Sequence, residues 1–297
     1  MRKYDILIIG HPCKDIIVEH TGQVFSRVGG AVYFSTFSAF ACGASTGAVM
    51  KYAPEDKTEM DILPLASEDV YFRASEHTVS IRSTFFTADK ERRRSDAVAI
   101  ADAFTMDDIP APDVATAGVY QIAGLLKGDT GYDVITGLAE RGPVAVDAQG
   151  LLRCVDESGE MVFRDWLEKK EFLPYISYFK TDAAEAEILT GSSDTRIAAE
   201  TIRSWGAKEV MVSHNKEILV CGDEGISKWP VVSRNLSGRP GRGDTVFAAY
   251  LTQRECMHCS MSDALRLATA AVSLKMEKPE PLKATRAEIE EYMREFL

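Results

Sequence analysis

No stretch of the chain approaches the ~20 consecutive apolar residues of a membrane-crossing helix. The 297 residues are therefore read as a globular protein with no membrane partner. No export signal is expected either. "MRKYDILIIG" has a basic start, but its apolar run is short and a glycine turn follows, so it reads as a first strand. The expected location is cytoplasmic, and six scattered cysteines (Cys13, Cys42, Cys154, Cys221, Cys256 and Cys259) fit free thiols in a reducing compartment. No second pair at finger-like spacing accompanies Cys256-Met-His-Cys259, so this CxxC reads as the turn between two helices and not as half a zinc site. Positive charge is also scarce. Lys plus Arg number 34 against 45 Asp plus Glu, a net charge of −11, which gives no electrostatic reason to hold nucleic acid or an anionic membrane. A local phosphate site does not follow net charge and stays open.

There is no internal repeat and no low-complexity linker. Short apolar runs at 4–10, 45–50, 113–120, 142–147, 176–180 and 207–213 read as buried parallel strands. Stretches with helical spacing lie between most of them, at 30–42, 130–140, 165–173, 182–190 and 195–205. Further helices are expected at 244–256, 261–276 and near 285–296, the second of these capped by Ser262-Asp263. Such alternation predicts a doubly wound, mostly parallel α/β sheet whose ligands sit at the carboxyl ends of the strands. Residues 14–28 and 70–101 break the pattern. They alternate polar and apolar residues, the second around a turn at Asp89-Lys90, and predict a small antiparallel lid inserted into one α/β domain of 1–297. The basic run Arg92-Arg93-Arg94 falls on that lid. It is either solvated or placed to meet an anionic substrate or a nucleotide.

The segment "SGRPGRGDTVFAAYL", Ser237 to Leu251, sets Gly-Arg-Gly-Asp directly before an apolar helix. Gly241 and Gly243 carry no side chain to obstruct a ligand. The N–H groups of Gly241, Arg242 and Gly243 can converge at a helix N-terminus, which is a ready anion site. Asp244 would stand beside that anion. A carboxylate there can orient an attacking hydroxyl and accept its proton in phosphoryl transfer. The alternative is an ordinary N-cap after a glycine-rich turn.

Three further motifs accompany the loop in order. "IIGHPCKDIIVEH" places Asp15 after the first strand, "VGGAVYFSTFSAFACGA" opens a helix at Gly29 and Gly30, and "FKTDAAEAEILTG" joins Lys180 to Asp182 and Glu185. Taken together, along essentially the whole chain, this set resembles the ribokinase/PfkB family of carbohydrate kinases. The resemblance implies a ribokinase-like three-layer αβα fold with a small β-strand lid. It also implies an ATP-dependent kinase that phosphorylates a hydroxyl of a sugar or cyclitol with Mg²⁺. By the same resemblance, Asp244 is the catalytic base and Gly241, Arg242 and Gly243 form the anion hole. Asp15, Gly29, Gly30 and Tyr33 face substrate, joined by Asp147, Gln149 and Arg153 of "VAVDAQGLLR". Asp182 and Glu185 serve the metal. Lys180, Ser213, the loop glycines and Ala271 of the 261–276 helix take the nucleotide. "GHPCKD" and the D-x-Q-x-x-x-R form look most like the myo-inositol kinase branch.

Departures from the family pattern are informative. An acid, Asp182, replaces an amide. Gly238 and Arg239 stand where family members carry the acid of a monovalent-cation site, which puts potassium activation in doubt. Arg242 replaces a small residue, Phe34 replaces an asparagine, and Ser213-His214-Asn215 replaces a Thr-x-Gly loop. Two alternatives stay open: a nucleoside kinase with Tyr33, Phe34 and Phe86 beside the ribose, and a non-catalytic sugar sensor. Pairing of lids into a homodimer is a further expectation.

Overall fold

The computed structural model describes residues 1–88 and 93–297. The turn expected at Asp89-Lys90, and Arg92 of the basic run, lie outside the described residues. In chain order the strands are β1 (Arg2–Gly10), β2 (Cys13–Val18), β3 (Val24–Gly29), β4 (Thr46–Tyr52), β5 (Val70–Ala74), β6 (Val79–Phe85), β7 (Arg93–Ala99), β8 (Ala115–Ile122) and β9 (Val144–Asp147). They continue with β10 (Arg153–Val155), β11 (Met161–Phe163), β12 (Tyr178–Asp182), β13 (Glu209–Ser213), β14 (Glu217–Gly222) and β15 (Gly225–Pro230). The helices are α1 (Ala31–Ala41), α2 (Lys57–Met60), α3 (Tyr132–Ala139), α4 (Gln149–Leu152), α5 (Lys169–Phe172), α6 (Ala183–Thr190), α7 (Thr195–Ser204), α8 (Arg242–Leu251), α9 (Met261–Lys275) and α10 (Arg286–Phe296).

Nine strands form one large sheet in the order β15-β14-β13-β12-β9-β8-β1-β4-β5. Pairing is parallel from β13 through β5, and the β14–β15 hairpin closes the other edge antiparallel. Strand β1 shows why the sheet is buried on both faces. Ile6 and Ile8 enter one core, with residues of α1, α8, α9 and α10, while Leu7 and Ile9 enter the other, with residues of α3, α6 and α7. A period of two sends alternate side chains to opposite faces, so a strand between two helical layers reads as a continuous apolar run. The chain winds outward from β1 through β4 and β5, then returns to β8 and proceeds the other way. That reversal is the switch point at which a crevice opens beyond the strand ends.

Four strands, in the order β3-β2-β6-β7, form the small second sheet. It draws on 13–29 and 79–99. The stretch 70–74, grouped above with the lid, is β5 at the edge of the large sheet, parallel to β4. An edge strand has one half-covered face, and from sequence this imitates the alternation of an antiparallel hairpin. Helix α9 begins at Met261 as expected, but not with the expected cap at Ser262. Its cap is Ser260, whose hydroxyl accepts from the Asp263 amide at 3.1 Å and donates to the Asp263 carboxylate at 2.7 Å.

Candidate active site

The expected helix after the Gly-Arg-Gly-Asp loop forms, and its start is unusual. Gly241 is its N-cap with φ 75°, in the left-handed region that glycine alone enters freely. A Cβ on Gly241 would lie 2.2 Å from the Phe34 ring, and one on Gly243 would lie 2.7 Å from the Lys180 amine. The loop is therefore pressed between an aromatic ring and a cation. Helix α1 packs along α8 and braces it. Ser38 Oγ donates to the Thr245 carbonyl at 2.7 Å, and Gln121 at the end of β8 donates to Ser35 Oγ at 2.9 Å.

Beneath the loop lie three strand ends. Lys180 of β12 is opposite Asp147 of β9, and Asp182 is opposite Ser213 of β13. The Lys180 amine binds both Asp147 oxygens, at 2.9 and 3.1 Å, with both residues buried. Burial opposes the lysine's charge, but Asp147, Glu185 and Asp244 outweigh it and hold its pKa above the ordinary value. Arg153 binds Gln149, and burial lowers its pKa against the pull of Glu185, Asp147 and Asp244. Asp244 is pushed up to about 6, first by burial and then by Asp147, while Lys180 and Arg153 pull the other way. The result is one cluster of alternating charges, made of Asp147, Lys180, Glu185, Arg153 and Asp244, directly under the loop.

Asp182 and Glu185 form a reciprocal capping box on α6. Asp182 accepts from the Glu185 amide, and Glu185 accepts from the Asp182 amide, each at 2.8 Å. This commits one oxygen of each carboxylate and leaves the other for a water or a cation. Burial raises Glu185 to about 7. No group of three or more metal-ligating side chains occurs among the described residues. The pair still suits Mg²⁺, which commonly takes one or two carboxylates and completes its shell with water and substrate phosphates.

The substrate candidates divide. Asp15 lies on β2 against Gly29, where an added Cβ would sit 2.5 Å from its carboxylate, with Arg27 Nε at 3.7 Å. Burial raises the Asp15 pKa, and Arg153 counteracts it, so this end of the small sheet and the charged cluster share one field. Gly30 caps α1. Tyr33 is buried against Phe34 and Phe37, with ring centroids 5.7 and 5.0 Å away. Gln149 opens α4 and donates to the Gly124 carbonyl at 3.3 Å. Of the nucleotide candidates, Ser213 is buried and donates to the Thr181 carbonyl at 3.4 Å. Ala271 is 0% exposed within the core, so in this structure it offers no surface to a base. Arg242 donates to Asn215 Oδ1 at 2.7 Å. Sequence reasoning missed Lys275, whose buried amine reaches the carbonyls of Gly238 and Pro240. Its one signal was a lysine closing the mostly apolar stretch Leu267–Leu274.

No family model matches the chain, and no curated protein does. Solved structures do. A pyrophosphate-dependent kinase in the ribokinase family, complexed with a pyrophosphate analog and myo-inositol, is 32% identical with a TM-score of 0.84, over 96% of this chain and 99% of that one. A pyrophosphate-dependent myo-inositol-1 kinase, converted by two substitutions to a myo-inositol-3 kinase, is 31% identical with the same TM-score, over 98% and 99% of the two chains. Ribokinase of Arabidopsis thaliana with ribose and ATP shares the fold at 16% identity and TM-score 0.77, over 99% of each chain.

Proposed function

The chain belongs to the ribokinase family, and from that premise we propose that it phosphorylates a hydroxyl of a cyclitol, with Asp244 as general base. The observation that carries this reading is where Asp244 stands. It is on the first turn of a helix capped by a left-handed glycine, in one charged cluster with Lys180 and Arg153. A carboxylate raised to about 6 is ionised at neutral pH and basic enough to receive a proton.

In this reading the acceptor lies between the strand ends and the small sheet, near Asp15 and Gly29, and the sheet serves as a lid that excludes water. The transferred phosphoryl group rests on the Gly241–Gly243 amides, with the Lys180 ammonium beneath them. Asp244 takes the proton from the attacking hydroxyl as the oxygen–phosphorus bond forms. The leaving phosphate departs with the bonding pair, its charge met by Arg153. A Mg²⁺ held through water by Asp182 and Glu185 would neutralise charge on the donor phosphates.

The donor is a phosphate chain, either ATP or pyrophosphate. Two observations favour pyrophosphate. The relatives above 30% identity are pyrophosphate-dependent. Arg242 also ties the anion loop to Asn215, in the turn where a nucleoside would enter. A donor without a nucleoside must gain its affinity from charge, and Arg242 supplies a half-buried guanidinium. The aromatic trio Tyr33, Phe34 and Phe37 packs on itself, which argues against a nucleoside acceptor.

Phosphorus NMR of the full chain with Mg²⁺ tests the reading, with ATP or pyrophosphate as donor and inositols, pentoses, hexoses and nucleosides as acceptors. The expected result is a cyclitol phosphate formed from pyrophosphate. Turnover of nucleosides alone would overturn the acceptor assignment, and turnover with ATP alone would overturn the donor.

A further inference from the structure

Lys275, at the end of α9, is 2% exposed. An amine that deep must find acceptors. Its Nζ donates to the carbonyl oxygens of Pro240 at 2.5 Å, Gly238 at 2.7 Å and Lys278 at 3.5 Å. The Phe34 ring lies on another side, its centroid 5.1 Å from the nitrogen. A set of backbone carbonyls with an aromatic face is the environment of a small monovalent cation. Burial and Arg27 lower this amine to about 8, against Asp244 and Glu280, so it is a cation at neutral pH.

The cage adjoins the anion hole. Gly238 and Pro240 directly precede Gly241, and Phe34 is the ring that a Cβ on Gly241 would strike. The residues here do not fit the bound monovalent cation that the family pattern implies. The acid is absent. Position 238 has no room for one, because a Cβ there would lie 1.8 Å from the Lys278 carbonyl oxygen, and position 239 is itself an arginine. The carbonyls that would ligate potassium are taken by the ammonium.

We propose that Lys275 is a built-in monovalent cation, a positioning residue that holds the Gly238–Pro240 carbonyls, and through them the anion hole, so that the reaction proceeds without added potassium. The rate readout rests on the kinase reading above. A second readout does not.

Wild-type phosphotransfer is measured with sodium, potassium, ammonium or tetramethylammonium as the sole monovalent cation, at one ionic strength. The rates are expected to be indistinguishable, and severalfold activation by potassium overturns the proposal. Lys275→Met keeps the length and removes the charge. Its kcat should fall on the order of 10- to 100-fold, the scale of losing one preorganised charge near an anion hole. The acceptor KM should stay near wild type, and ammonium or potassium, but not tetramethylammonium, should restore part of the rate. A folded variant with wild-type kcat, or one that no small cation restores, overturns the proposal. If the variant fails to fold, the wild-type salt series decides. Hydrogen exchange of the 237–244 amides in the same variant is independent of turnover. It should quicken, and ammonium should slow it again. If the wild type transfers no phosphate, the kinase reading fails while the exchange result still decides the role of Lys275.

Discussion

An aspartate in water is fully ionised well below neutral pH, but Asp244 keeps its proton up to about 6 because burial and Asp147 oppose its charge. Two results follow. As a base it works only when ionised, so kcat should fall as pH drops through about 6 and level off above it; a flat profile down to pH 5 would remove Asp244 from the proton transfer. The linkage to stability has the opposite sense. A carboxylate whose folded pKa is raised favours the folded state only while protonated, and that contribution is lost as pH rises past about 6. Asp244→Asn should therefore melt higher than wild type at pH 7.5, by ~1–3 kcal/mol. The gap should close as pH falls towards the ordinary carboxylate range. Equal melting at pH 7.5 would mean that the burial cost is met elsewhere.

At the scale of elements, the loop depends on two glycines for different reasons. Gly241→Ala forces a side chain into a left-handed backbone and into the Phe34 ring, at an expected cost of ~2 kcal/mol or more in stability, with a loss of turnover beyond it. Thermal unfolding beside a rate assay separates the two losses, and a variant close to wild type in both would show that the loop is not under this constraint. This level was also the most legible in the sequence. The six apolar runs became strands because a strand buried on both faces must be apolar throughout, and the Gly-Arg-Gly-Asp loop announced a helix start. What failed depended on neighbours. The hairpin β14–β15 joins a buried strand to an edge strand, and only the sheet shows which is which. The helix expected over 165–173 shrank to Lys169–Phe172 followed by a 3-10 turn through Pro174, because proline ends an α-helix. The role of Lys275 was illegible because its acceptors at Gly238 and Pro240 lie more than thirty residues earlier in the chain. Ala271, expected beside the nucleotide on a small apolar helix face, is 0% exposed within the core.

On the scale of the whole molecule, the winding of the sheet gathers these pieces at one edge. Strands β9, β12 and β13 end at Asp147, Asp182 and Ser213, while the chain crosses back to deliver α8 and its loop above them. Arg242 then links that loop to the turn after β13. If pyrophosphate is the donor, Arg242→Gly should lower kcat/KM for pyrophosphate by ~10-fold, the worth of one charge-assisted phosphate contact, and leave use of ATP unchanged or improved. Equal losses with both donors would make Arg242 a structural tie. The central claim is that this assembly is a phosphoryl-transfer site with Asp244 as its base. Its most direct test is kcat of Asp244→Asn beside wild type, with pyrophosphate, myo-inositol and Mg²⁺ above pH 7, alongside donor binding by calorimetry. The account predicts a fall of ~10²-fold or more in kcat with donor binding retained, the usual scale of general-base effects. A variant that keeps wild-type kcat would contradict it.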